Sequence, residues 1–127
     1  MDRRVAVILV GILVAVGASV GTTVAQDPVT VGPDIYKCTF ENEHTRLCEV
    51  TFKPGAKIGM HSHPEHLVYV LSPGKLRITR AGGEPQEAEL KAGGTLWIPA
   101  ETHQAENTGS TEVKVLVVEY KALTGKK

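Results

Sequence analysis

Four of the chain's five histidines fall in two short stretches. In GMHSHPEHLVYV, His61 and His63 stand one residue apart and His66 follows Pro64 and Glu65; in LWIPAETHQAEN, His103 follows a proline turn. Side chains at i and i+2 of a strand point to the same face, so His61 and His63 can converge on one metal ion. His103 completes such a site if the sheet closes on itself. Imidazole is the commonest metal-ligating side chain, but a bare His-x-His also describes ordinary surface or hydrogen-bonded histidines. The elements around the pair therefore decide how it is read.

After Gln26 the chain has almost no helical period and many short apolar or β-branched runs, at 35–40, 46–52, 66–71, 75–80, 86–90, 94–98 and 113–120. They are separated by Pro73-Gly74, Gly82-Gly83 and Gly93-Gly94. Even spacing of this kind predicts an all-β, double-sheet or barrel architecture. Leu76 and Ile78 alternate with Arg77 and Thr79, as expected of one buried and one wet face. Val113 to Tyr120 is apolar on both faces beyond Lys114, so a second cover is expected there, and another subunit in a homodimer is the expected one. A central strand buried within a monomer is the alternative. Tyr69 and Trp97 are expected in the core, unless they line a pocket mouth. Asn107 is expected as a strand-end hydrogen-bonder, and His44, in the turn ENEH, as solvent-exposed.

Glycines and further residues flank the histidines at regular spacing. Gly55, His61, His63 and Gly74 match the first cupin motif, G-x5-H-x-H-x3/4-E-x6-G, and Gly93, Pro99, His103 and Asn107 match the second. The chain thus resembles the cupins over residues 55–74 and 93–107. The resemblance implies a cupin-type double-stranded β-helix, a jelly-roll barrel, with a divalent transition metal on His61, His63 and His103. Two departures stand out. Counting back from Gly74 puts the family's glutamate ligand at Leu67, which cannot bind metal; His66 is the candidate replacement, and Glu65 a weaker one. In the second motif Glu101 replaces the turn glycine and His103 comes one residue early. The stretches DIYK, EVTFKPG, HSHP and LWIPAETH further resemble a subgroup of small bacterial cupins, some named for beta-alanine degradation.

The first 25 residues have the layout of a signal peptide, with Arg3 and Arg4, an uncharged run from Val5, and Thr23-Val24-Ala25 before the expected cleavage. An uncleaved N-terminal anchor helix is the alternative, since the uncharged stretch is long enough to span a bilayer. Residues 26–127 then form one small cupin domain. The expected location is periplasmic or secreted, with no membrane contact after cleavage. Loss of Asp2, Arg3 and Arg4 from 14 acidic and 14 basic residues leaves a net charge of −1, which implies no nucleic-acid partner. Cys38 and Cys48 lie symmetrically about Glu43 in an expected hairpin. In an oxidising compartment a disulfide is the expectation, and two small buried thiols the alternative.

Three neutral imidazoles leave a divalent ion its full charge and open positions, which favours a small anionic ligand. Nitrogen donors suit iron, nickel, copper and zinc better than magnesium or calcium, and manganese is a further candidate. The resulting expectation is an exported mononuclear metalloenzyme, an oxygenase, lyase or isomerase, acting on a small anionic molecule. The alternatives are a non-enzymatic binder of a small ligand or metal, and a structural module with vestigial histidines.

Overall fold

Nine strands, with period-two burial plainest in four of the seven- and eight-residue ones, build two facing antiparallel sheets, in a computed structural model that describes residues 26–122. A single helical turn, α1 (Pro28–Val31), comes first, capped by Asp27, whose Oδ1 accepts the Val29 N–H at 2.8 Å. The strands are β1 (Tyr36–Glu41), β2 (Thr45–Phe52), β3 (Lys57–His63), β4 (His66–Ser72), β5 (Gly74–Arg80), β6 (Gln86–Leu90), β7 (Thr95–Ile98), β8 (Glu101–Asn107) and β9 (Val113–Tyr120). One sheet runs β1-β2-β9-β4-β7 and the other β3-β8-β5-β6. This is the expected all-β jelly roll.

The apolar runs of the sequence miss β3 and β8, the strands that carry His61, His63 and His103. Their inward positions hold histidine, alanine and asparagine with the single aliphatic Ile58, so no hydrophobic alternation announces them. Alternation of burial is plain in β9, where Val113, Val115, Val117 and Glu119 are buried and the intervening residues less so. Together with Val50, Phe52, Val68 and Val70 these valines form the layer between the sheets.

Gly93 holds the β6–β7 turn with φ +79°, a conformation that favours glycine. Gly74 is needed for a different reason, because a Cβ there would lie 2.5 Å from Val113 Cγ2. Asn107 is almost fully buried and ties loops together: its Nδ2 donates to the carbonyls of Phe52 (2.9 Å) and Thr111 (2.8 Å), and its Oδ1 accepts from Gly109 N–H. Cys38 and Cys48 sit directly opposite each other in the β1–β2 ladder and form a disulfide.

The outer face of the five-stranded sheet carries an apolar row. Phe40 pairs with Leu47, Leu47 with Val118, Val118 with Leu67, and Leu67 with Trp97, so one line of apolar side chains crosses all five strands. Trp97 and Tyr69, expected in the core, are instead 55% and 42% exposed. The physical reason is parity: both share the outward face of their strands with Leu67. Among the described residues no helix is long and apolar enough to cross a membrane, and the segment read as a signal peptide or anchor lies outside the described residues.

Candidate metal centre

The histidines are brought together by strand register and one irregularity. Ile58 pairs with Ala105 and His61 with His103, which leaves two residues of β3 opposite one of β8. This β-bulge at Gly59-Met60 turns both Ile58 and His61 inward, although they are three residues apart. His61 then faces His103 and His63 faces Glu101 across the same ladder, so four polar side chains form a square on one inner face. Ligand atoms of His61, His63 and His103 all lie within 4.8 Å of one another.

His66 comes from the opposite sheet. Its ring centroid is 4.7 Å from that of His63 and it lines the same cavity, but it stands outside the group of three. The expectation that Leu67 occupies the inward, fourth-ligand position is corrected by the structure. His66, Val68 and Val70 are the buried residues of β4, and Leu67 lies on the other face. A bulge at Leu71, between the pairs Val70–Val115 and Ser72–Lys114, adds one residue to the strand, so parity counted back from Gly74 is shifted. Glu65, the weaker candidate, is exposed in the bend before β4.

Each of the four imidazoles is held through Nδ1. His61 Nδ1 donates to the Gly59 carbonyl at 2.7 Å, inside the bulge. His66 Nδ1 donates to the Pro64 carbonyl at 2.8 Å, and His103 Nδ1 to Glu101 Oε1 at 2.6 Å. His63 Nδ1 donates to Glu119 Oε1 at 3.1 Å. Carbonyls and carboxylates only accept, so Nδ1 carries the proton and Nε2 is left with its lone pair, the tautomer a metal requires. His61 Nε2 is fully buried and, among the described residues, has no hydrogen-bond partner. A buried polar atom left this way costs roughly 1–3 kcal/mol, and a metal ion would relieve it. The donor set therefore fits a divalent transition metal on His61, His63 and His103.

The supporting shell was invisible to spacing arguments. Glu119, 3% exposed, receives His63 and also Arg46, whose Nη2 lies 3.1 and 3.0 Å from its two oxygens. Arg46 Nη1 continues to Asp27 Oδ2 at 2.8 Å. On the other side Glu101 links His103 to Arg80, whose Nε donates to Oε2 at 2.8 Å. The one available signal for Glu119 was its place in β9, an acid in phase with three buried valines. Tyr36 carried no signal; its hydroxyl donates to His63 Nε2 at 3.2 Å, the nitrogen that faces the cluster.

These contacts set the charges. Burial brings His61 down to about 4, helped by neighbouring His63 and His103 and opposed by the Gly59 carbonyl. Burial likewise lowers His66 and His103. At Glu119 burial favours the neutral acid, yet the hydrogen bonds from His63 and Arg46 outweigh it and hold the carboxyl below its usual range. Glu101 is lowered in the same way, burial being offset by Arg80 and His103. Burial, with the nearby Glu119 charge, pushes the Tyr36 phenol well up, so it stays protonated. The result at neutral pH is that His61, His66 and His103 stand uncharged near two anchored carboxylates.

An antiparallel two-sheet barrel whose inner face gathers histidines at one end defines a class of small β-barrel proteins with a metal-type site. A family model for the cupin domain matches residues 48–119, more than half of the 127, and the chain belongs to that family. No curated protein is significantly similar. Among solved structures, a cupin domain from Bordetella pertussis Tohama I is 27% identical, with a TM-score of 0.64 over 69% of this chain and 93% of that one. A protein with a double-stranded β-helix domain from Klebsiella pneumoniae is 24% identical, TM-score 0.58, over 72% and 79%. A DMSP lyase from Ruegeria pomeroyi is 20% identical, TM-score 0.53, over 73% and 50%. The last two likenesses carry the fold alone.

Proposed function

We propose that the protein is an exported, mononuclear metalloenzyme that holds one divalent transition metal on His61, His63 and His103 and acts on a small anionic molecule. The observation that carries this reading is the buried, partnerless Nε2 of His61 beside two further histidines in the ligating tautomer. When bound, such an ion supplies Lewis acidity and affinity for an anionic group. Glu119 and Glu101 orient His63 and His103, as carboxylates behind metal-binding histidines do. Arg46 keeps Glu119 ionised, and Arg80 does the same for Glu101. Two groups are placed to hold or move a proton at the cavity's polar end. They are the Tyr36 hydroxyl and His66 Nε2, to which no described residue donates or accepts.

Export rests on the N-terminal layout and is supported by the disulfide, which persists in an oxidising compartment. The apolar row over five strands supports a homodimer in which a second copy covers the outer face by two-fold symmetry. Turnover of small thiols, carboxylates and enolates by metal-loaded protein tests the enzymatic reading, with oxygen uptake and substrate loss measured alongside His103→Ala. Activity in the wild type that vanishes in the variant supports it. Tight binding of an anion with no turnover in any assay would make the protein a ligand-binding cupin instead.

A further inference from the structure

The cavity behind the histidines says more about the ligand than its charge. Its volume is about 320 Å³, equal to roughly ten water molecules at about 30 Å³ each. Register orders its walls in layers. Along β5, Arg80, paired with His103, marks the open end, Ile78, paired with Ala105, lies one layer deeper, and Leu76, paired with Ala88, deeper still. Four strand residues separate the first layer from the third, a depth of roughly 13 Å.

The polarity of these layers is lopsided. His63, His66, His103, Glu101 and Arg80 lie in the outer layer, Tyr36 reaches it with its hydroxyl from the level of Val50, and the rest of the deeper lining is supplied by valine, leucine, isoleucine, alanine and Phe52. Arg80 is the single cation of the lining and is already engaged, through Nε with Glu101 and through Nη1 with Gln86 at 2.9 Å. No lining side chain of the deeper layers bears a charge. A second anionic group carried inward would be desolvated without a partner, whereas methylene groups would be favoured there.

We propose that the site takes an amphipathic monoanion: one metal-ligating head at the histidines and an unbranched or aromatic apolar body of about six to eight carbons directed inward. This rests on the metal reading above and narrows it from small anions in general. It disfavours dicarboxylates and other doubly charged metabolites, and very short acids gain little from the cavity.

The test is a calorimetric titration of the full chain, loaded with zinc, with acetate, butyrate, hexanoate, octanoate and adipate. Affinity should rise about fourfold per methylene from acetate to hexanoate, by the transfer value for a buried methylene. Adipate should bind at least a hundredfold more weakly than hexanoate. Ala88→Leu, and separately Ala88→Phe, should shift the preferred length downward by filling the deep layer, with a melting curve for each to show that it folds. Affinity independent of chain length, adipate as tight as hexanoate, or no binding of any member would overturn the proposal. Repeating the series on metal-free protein separates the two readings. Length dependence that persists undiminished without zinc contradicts the metal reading alone, and zinc-dependent binding with no length dependence contradicts this proposal alone.

Discussion

Replacing Glu119 by glutamine should weaken metal binding more than any other change that leaves every histidine in place. The carboxylate accepts His63 Nδ1–H through Oε1 and Arg46 through both oxygens. Glutamine keeps one acceptor and turns the other oxygen into a donor. With the amide oxygen turned to Arg46, the amide nitrogen meets His63 Nδ1 and favours the tautomer protonated at Nε2, which cannot ligate. With the oxygen turned to His63, the amide hydrogens meet the guanidinium. Either arrangement forfeits at least one charge-assisted hydrogen bond at a site only 3% exposed. Loss of such an outer partner costs 10- to 100-fold in metal affinity, or about 1.4–2.7 kcal/mol. The assay is competition of zinc against a chromophoric chelator at pH 7.5, with Glu119→Asp as a milder control and thermal melting to follow the fold. An affinity within twofold of wild type in a folded Glu119→Gln protein would refute the argument that Glu119 sets the His63 tautomer.

Acid should destabilise the metal-free protein. His61 titrates near 6.5 when unfolded and near 4 when folded, so the unfolded chain takes up its proton first as pH falls. Stability present above pH 6.5 is then lost between about 6.5 and 4, by about 3 kcal/mol from this residue; urea melts at stepped pH should show the slope, and His61→Gln should flatten it. Leu67→Glu, lying on the outer face, should leave zinc affinity unchanged while moving the proposed dimer to monomer in sedimentation, and a gain in affinity would restore the inward register for Leu67. Reduction of Cys38–Cys48 should cost about 2–3 kcal/mol for a loop of this length, read from urea melts with and without reductant. Unchanged melts would mean that the bridge adds nothing to the β1–β2 hairpin.

The barrel was legible because most of its strands are short apolar or β-branched runs, one of them alternating Leu76 and Ile78 with Arg77 and Thr79, and because glycines mark the turns. The histidine triad was legible through motif spacing. What spacing could not carry was parity. A bulge at Gly59-Met60 and another at Leu71 each insert one residue, and a single residue exchanges the faces of a strand. Hence His61 faces inward with Ile58, and His66 rather than Leu67 faces the cavity. Glu119, Arg46 and Tyr36 lie far from the histidines in sequence, and only the packing of β1, β2 and β9 against β3 brings them to His63.

Metal content per chain, measured on protein purified without added metal or chelator and compared with His61→Ala, tests the three-histidine site most directly. A three-histidine site should carry close to one divalent transition-metal ion per wild-type chain and lose nearly all of it in the variant, because two remaining imidazoles offer too few bonds to offset desolvation of the ion. Wild-type protein that stays metal-free and takes up no zinc, iron, nickel, copper or manganese on titration, or a His61→Ala protein that keeps its full complement, would contradict it.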